Sequence, residues 1–307
     1  MTLFSVVIPV YKSSDSLKII ASELSKMQTE LGYKFEIIFV NDSPFFLETS
    51  NMLENLRNGY DNVKIITIRK NQGQHVATLL GISKAQGDYI ITMDDDLQHP
   101  VAELPKLIES IRNSNVEGVF GIPNYRNRKH NFWRSVASYL LKKSDSIFLE
   151  KPKGLILSSY RIMTKDLALA TVNSYNAMPA VSSLMVNASN NLINVKVEHN
   201  SREFGDTNYT FQKLISLALN GILYYSSLPL RILGIVGIIG FLGSMIFIFS
   251  VIFRKLVVGI DFPGYASTVT LISFFGGLNL FAFGIIGEYL LRIIKEQQKP
   301  NLKDLIK

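Results

Sequence analysis

Two stretches without a charged residue constrain this chain more than anything else in it. Residues 232–253 (ILGIVGIIGFLGSMIFIFSVIF) lie between Arg231 and Arg254, and residues 264–287 (GYASTVTLISFFGGLNLFAFGIIG) stop at Glu288. A helix that crosses a bilayer needs about 20 predominantly apolar residues, so each stretch is long enough to span one. One such run also suits a buried core helix; two, separated by a short gap, point to a membrane hairpin. The bulk composition agrees, with 47% hydrophobic and only 19% charged residues, more apolar than an ordinary soluble domain.

The apolar run Leu3 to Val10 is too short for a secretory signal and has no basic residue ahead of it. The long segment before the hairpin is therefore expected to stay in the cytoplasm. Arg254 and Lys255 sit in the inter-span gap, whereas Arg292, Lys295, Lys299, Lys303 and Lys307 follow the second span and favour two cytoplasmic ends. Cysteine is absent, which suits a reducing compartment. The formal charge of +7 suggests anionic partners, and with a membrane anchor these are phosphates and lipid headgroups rather than nucleic acid.

Ahead of the hairpin the pattern alternates. Strands are expected at Phe4–Val10, Phe35–Val40, Val63–Ile68, Tyr89–Met93 and Val116–Gly121. Helices are expected at Ser14–Leu31, Leu47–Leu56, His75–Ala85 and Leu104–Ile111. Near-continuous apolar strands alternating with helices predict an α/β fold whose mostly parallel sheet is covered on both faces. From Asn124 to Lys143 the character changes: Arg126, Arg128, Lys129, Arg134, Lys142 and Lys143 alternate with Phe132, Trp133 and Tyr139, without an acid. That suits a solvated basic helix or one lying among headgroups. The stretch 209–225 (YTFQKLISLALNGILYY) has the same interfacial character and leads to Pro229 in the first turn of the first span. The expected layout is an α/β domain over 1–208, an interfacial helix over 209–228, the hairpin over 229–290 and a basic tail over 291–307.

In an open parallel sheet, ligands collect beyond the carboxyl ends of the strands. Polar signals fall at four such ends: Pro9-Val10-Tyr11, Asn41-Asp42-Ser43, Asn71-Gln72-Gly73-Gln74-His75 and Asp94-Asp95-Asp96. Three adjacent carboxylates where an apolar strand stops repel one another unless something positive sits beside them. On an extended backbone Asp94 and Asp96 would share a side, with Asp95 facing away and Gln98 within reach past the turn. Two carboxylates and an amide oxygen are hard ligands that suit Mg²⁺ or Mn²⁺, although an acidic turn capping the next helix accounts for the same residues. Asp42 suits either an Asx turn before Pro44 or an acceptor for a nucleotide base or ribose. His75 reads as a helix-start residue.

VVIPVY (6–11), VNDS (40–43), NQGQHVATLLGI (71–82) and MDDDLQHP (93–100) resemble the family 2 glycosyltransferases of the GT-A (Rossmann-like) fold. The two C-terminal spans and residues 263–289 resemble, more narrowly, the bacterial polyprenyl-phosphate glycosyltransferases, relatives of the dolichol-phosphate mannose synthases. NQGQH (71–75) and REFGDTNYTFQKL (202–214) are similar to the undecaprenyl-phosphate 4-deoxy-4-formamido-L-arabinose transferases. The likeness covers nearly the whole chain. It implies that Pro9, Val10, Tyr11, Asp42, Asn71, Gly73 and Asp95 hold the nucleotide, and that Asp94, Asp96 and Gln98 hold Mg²⁺ or Mn²⁺ on its diphosphate. Catalytic roles fall by the same likeness on Asp96 and on Arg128, Arg134 and Arg202, the three arginines meeting an acceptor phosphate. It further implies a nucleotide-sugar donor, UDP-linked, a polyprenyl phosphate acceptor, a multi-pass place in the bacterial cytoplasmic membrane, and a homo-oligomer, a tetramer in relatives.

Three departures stand out. Tyr11-Lys12-Ser13 replaces the family's Tyr-Asn-Glu, Ser159 stands where many members carry an aspartate before Tyr160-Arg161, and Asn208 replaces a loop lysine. A lipid phosphate is mostly dianionic at neutral pH, its second pKa being about 6, so such an acceptor needs no base to ionise it. The departures leave open a silent nucleotide-sugar-binding membrane scaffold, and a transferase acting on another lipid or glycan is a separate alternative.

Overall fold

The computed structural model describes residues 2–124, 152, 154–200 and 264–307, with isolated positions between 235 and 257. The first unit opens with strand β1 (Leu3–Val10), helix α1 (Asp15–Leu31), β2 (Lys34–Asn41), α2 (Leu47–Gly59), β3 (Val63–Thr67), α3 (Gln74–Lys84) and β4 (Tyr89–Thr92). A 3₁₀ turn (Val101–Glu103), α4 (Leu104–Asn113) and β5 (Gly118–Pro123) follow. After these come β6 (Arg161–Thr164), α5 (Lys165–Asn173), α6 (Val181–Ala188) and β7 (Leu192–Val197). All seven strands join one sheet in the order β3-β2-β1-β4-β6-β5-β7.

The sheet is mostly parallel, as its apolar strands predict: β1 pairs parallel with β2 and β4, β2 with β3, and β5 with β7. Among the described strands only β6 runs the other way, antiparallel to both β4 and β5, with Thr92 opposite Arg161. Val6, Val7 and Ile8 of β1 and Ile37, Ile38 and Phe39 of β2 are fully buried, because helices cover both faces. On one face α1 contributes Leu17, Ile20 and Leu24 to a core shared with Val6, Ile8 and Phe39, and the helix ends at Gly32, whose φ of 67° suits a left-handed cap. On the other face α3 lies so close that a Cβ on Gly81 would fall 2.3 Å from Val7 Cγ1 and 2.9 Å from Val40 Cγ2. That approach brings the start of α3 over the carboxyl ends of β1 and β2.

The expected second span falls on α7 (Tyr265–Gln297), and its stretch Phe274–Gln297 is long and apolar enough to cross a membrane. Phe274, Phe281, Phe283 and Leu291 are exposed along it. The helix continues past Gly287, where the uncharged run stops, and Glu288 and Arg292 pair one turn apart there at 2.8 Å. The expected first span lies largely outside the described residues; its described positions, among them Ile235, Ile239, Leu242, Ile246 and Phe249, are helical and exposed. The interfacial helices expected over 124–143 and 209–228 also fall outside them.

The C-terminus differs from the basic tail expected over 291–307. Its first part completes α7, while Lys299–Lys307 packs as part of the unit formed by Met1–Thr210. A 3₁₀ turn at Leu302–Leu305 buries Leu302 and Leu305.

Candidate active site

The carboxyl ends of β1, β2 and β4 and the loop after β3 converge on one cleft of about 310 Å³. Pro9, Val10, Tyr11, Asp42, Asn71, Gly73, Gln74, Asp94, Asp95 and Asp96 line it. Every expected nucleotide-contacting residue is thus brought together, and two of the three expected metal ligands join them.

Each wall has a local cause. β1 ends where Lys12 takes a left-handed backbone (φ 56°), and the Lys12 amide donates to Ser43 Oγ at 3.0 Å. The Asx turn at the end of β2 belongs to Asn41, whose Oδ1 accepts from the Ser43 amide at 2.9 Å. Asp42, only 2% exposed, is thereby left for another task. Its two carboxylate oxygens accept from the Gln72 and Gly73 amides at 2.7 and 2.8 Å, clamping the loop that feeds α3. Burial raises the Asp42 pKa, and the two amide bonds oppose that rise. Gly73 turns at φ 88°, which a side chain would resist.

The aspartate triplet departs from the alternation expected of it. β4 stops at Thr92, and the chain beyond bends rather than extends, with Leu97 at φ 59°. The two-residue alternation of a strand therefore does not apply, and Asp95 lines the same cleft as its neighbours. Asp94 accepts from Ser159 Oγ at 2.7 Å and Gln74 Nε2 at 2.5 Å. Asp95 accepts from Ser13 Oγ at 2.6 Å, and Asp96 from the Gln98 amide at 3.2 Å. Gln98 enters through its backbone and is not among the cleft-lining residues.

Burial is the main reason that Asp94 and Asp95 resist ionisation. The pKa of Asp95 is pushed up to about 6, with Asp94 and Asp96 adding to the effect of burial and the Ser13 bond opposing it. The pKa of Asp94 is raised by burial and the charge of Asp96, against the Ser159 bond and the nearby Arg161. Arg161, 2% exposed, is a positive group that the sequence reading did not assign to the site. It donates from Nε to Thr92 Oγ1 at 2.9 Å and from NH1 to Ser182 Oγ at 2.5 Å. Burial pushes its pKa down to about 10, and the charge of Asp94 opposes that. Behind the cleft a cavity of about 60 Å³ is lined by His75, Thr78, Thr92, Ser159, Arg161 and Ser182, among others.

The donor set suits a hard divalent cation. Asp94, Asp95 and Asp96 share the cleft, two of them with ionisation held back by burial, and among the described residues Arg161 is the guanidinium whose charge acts on Asp94. Carboxylate oxygens keep lone pairs beyond those their present partners use. Among the described residues no group of three His, Cys, Asp or Glu is arranged to enclose a metal. The protein oxygens therefore fit an ion that takes its remaining ligands from phosphate and water. Arg128, Arg134 and Arg202 lie outside the described residues.

Gln74, Ser13, Ser159 and Arg161 are the contacts that sequence reasoning missed. Ser13 and Ser159 stand in the sequence as departures from a family pattern, and that pattern does not reveal them as the hydrogen-bond donors to the triplet that they are. The available signal for Arg161 was a lone arginine opening the apolar run Arg161–Thr164.

Residues 5–170 match the family described as Glycosyl transferase family 2. CsbB of Bacillus subtilis is 30% identical over 97% of this chain and 89% of its own. The undecaprenyl-phosphate 4-deoxy-4-formamido-L-arabinose transferase of Proteus mirabilis is 30% identical over 95% of this chain and 89% of its own. Among solved structures, the glucosyl-3-phosphoglycerate synthase of Mycobacterium tuberculosis is similar, with a TM-score of 0.52 at 12% identity over 72% of this chain and 78% of the other. The mannosyl-3-phosphoglycerate synthase of Rubrobacter xylanophilus has a TM-score of 0.53 at 12% identity over 76% and 75%. These two share the fold. A cleft at the strand ends, carrying three acidic side chains, within a chain that matches over more than half its length, leads to one conclusion: this protein belongs to glycosyl transferase family 2.

Proposed function

We propose that the chain is a membrane-anchored, inverting glycosyltransferase that moves a sugar from a UDP-linked donor to undecaprenyl phosphate on the cytoplasmic face of the bacterial inner membrane. The observation that carries this reading is the convergence of Asp94, Asp95 and Asp96 with Tyr11, Asp42, Asn71 and Gly73 on one cleft. Relatives that match nearly the whole chain are undecaprenyl-phosphate transferases, and the M. tuberculosis fold neighbour was solved with Mn²⁺ and UDP-glucose. The apolar α7 supplies an anchor suited to a lipid acceptor.

Asp94 and Asp96 would hold Mg²⁺ or Mn²⁺, which when bound neutralises charge on a departing diphosphate. Tyr11 and the loop clamped by Asp42 flank the nucleotide, with Asn71 and Gly73 on the same wall. Ser159, Gln74 and Arg161 hold Asp94 in place and temper its resistance to ionisation. Ser159 stands beside Asp94 where a base would stand in many relatives, and the acceptor phosphate needs none because it is already ionised. Such a phosphate attacks the anomeric carbon from the face opposite the diphosphate, and configuration inverts. Alignment of two mutually repelling anions falls to Arg128, Arg134 and Arg202, whose planar guanidinium groups suit phosphate.

Asp96→Ala tests this reading. Transfer to undecaprenyl phosphate should be abolished while circular dichroism and thermal unfolding match those of the parent. Transfer at the parental rate, or undiminished activity in excess EDTA, would refute the metal-holding role.

A further inference from the structure

β3 ends the sheet formed by the described strands, so among the described residues one of its edges has no full strand beside it. Such edges are covered, charged or interrupted in natural proteins. Here the chain covers the carboxyl end of β3 with its own C-terminus. The Lys307 amide donates to the Thr67 carbonyl at 2.9 Å, and the Arg69 amide to the Leu305 carbonyl at 2.9 Å. Ile68 and Ile306 form an antiparallel bridge between these two bonds, and Arg69 Nε adds a bond to the Ile306 carbonyl at 2.9 Å. Asn301 Oδ1 accepts from the Lys303 amide at 3.1 Å, which starts the turn that buries Leu302 and Leu305. That turn also lies against α3.

These contacts bracket a short loop. Arg69 lies at its start and α3 at its end, and between them Asn71 and Gly73 line the cleft. Asp42 grips the loop from the β2 side through the Gln72 and Gly73 amides. The C-terminal segment grips it from the outer side, and it continues directly from α7 through Gln298. Without it, the peptide groups of Thr67 and Arg69 would face water, and the loop would be held on one side only.

We propose that Lys299–Lys307 is a positioning strap for the donor-binding loop 69–74, so that docking of the strap sets the affinity of the cleft for the nucleotide diphosphate. Its action on the donor rests on the function proposed above; its action on the loop does not. A ligand whose binding-competent state is only fractionally populated binds more weakly by that fraction. A released strap should therefore weaken donor binding and leave the chemistry at saturating donor nearly unchanged.

The test uses the full chain in detergent, comparing Leu305→Asp with Leu305→Met and with Lys303→Ala at an exposed position of the same segment. Hydrogen exchange without nucleotide should quicken in residues 67–78 of Leu305→Asp and remain slow in β1, β2 and β4. With a loop ordered about one-tenth of the time, the Kd for UDP with Mn²⁺ and the donor KM should rise about tenfold, with kcat within about twofold of the parent. Leu305→Met and Lys303→Ala should restore parental values. Unchanged exchange in the loop, protection lost equally across the sheet, or a fall in kcat at constant KM would each overturn the strap. Parental chain that binds no UDP would instead defeat the donor reading, and the exchange comparison would still decide the strap.

Discussion

Replacing Ser159 with the aspartate that the family resemblance leads one to expect there separates two accounts of this site. Ser159 Oγ donates to Asp94 Oδ2 at 2.7 Å, so its hydroxyl hydrogen is committed to a carboxylate that burial already keeps from ionising readily. An aspartate there has no proton to donate when ionised and is one atom longer. Its oxygens would face those of Asp94 at roughly 3–4 Å, and at an effective dielectric near 20 the repulsion is about 4–6 kcal/mol. That displaces one of the two titrations upward by roughly three pH units, on top of the rise that burial already gives Asp94, so the pair holds a proton into the neutral range. Arg161, held at Thr92 and Ser182, offsets part of this without reaching either carboxylate through a hydrogen bond seen here. In Ser159→Asp, Mn²⁺ affinity in the presence of UDP should fall about a hundredfold at pH 7, equivalent to about 3 kcal/mol, and recover towards pH 9. Ser159→Ala, which loses one hydrogen bond to a charged group, should fall only about tenfold, at the low end of about 1.5–3 kcal/mol. Calorimetric Mn²⁺ titration and lipid-dependent UDP release from pH 6 to 9 provide the readouts. A Ser159→Asp protein that matches or exceeds the parent at pH 7 would show that the position accommodates a base, and the reasoning would fail.

His99, 7% exposed and stacked on Tyr160 with ring centroids 4.8 Å apart, has its pKa lowered to about 4 by burial and by His199, against the charge of Asp96. The unfolded chain binds that proton near pH 6.5 and the folded chain does not, so stability from this group is complete above pH 6.5 and lost as pH falls towards 4. The loss amounts to about 3 kcal/mol, and the difference in urea unfolding between parent and His99→Gln, at pH 7 and pH 4.5, isolates it from the opposite trend of Asp94 and Asp95. Asp42→Ala leaves the Gln72 and Gly73 amides without their acceptor and should weaken UDP binding at least tenfold by calorimetry, with β1 and β2 still protected from exchange. Gly87→Ala would place a Cβ 2.7 Å from the Ser5 amide nitrogen and 2.8 Å from the Leu3 carbonyl, backbone atoms that cannot yield without disturbing β1. It should lower stability by about 1–3 kcal/mol or more in thermal unfolding, and an unchanged melting temperature would contradict that packing.

Strands that are apolar on both faces were the most legible part of the fold: β1 to β4 begin and end within a residue of where their sequence places them. β1 and β2 are marked by runs buried on both faces, Val6–Ile8 and Ile37–Phe39, while β3 is only partly buried and is marked by its β-branched residues. β6 was not legible, because four residues opening with arginine carry too short a pattern to distinguish from a loop. Its pairing depends on β4 and β5 lying on either side, which is a tertiary circumstance. The cleft was legible as a set of strand ends, since that rule depends on topology rather than on side-chain detail. The orientation of Asp95 was not, because it depends on where β4 stops and on a left-handed backbone at Leu97. Nor was the C-terminal strap, whose lysines suggest a solvated tail while Leu302, Leu305 and Ile306 make the contacts.

The reversed course of β6 has its own consequence. Parallel strands deliver to the cleft only residues that follow a strand, on loops that must then lead into a covering helix. An antiparallel neighbour delivers the residues that precede it and open it, and so Ser159, on the incoming connection, and Arg161, the first residue of β6, reach the floor beside Asp94. Substitutions in Ser158–Arg161 can therefore remodel the acidic floor while the loops after β1, β2 and β3 keep their lengths and their helices. Divergence among related enzymes in donor sugar or ion preference has an independent place to occur.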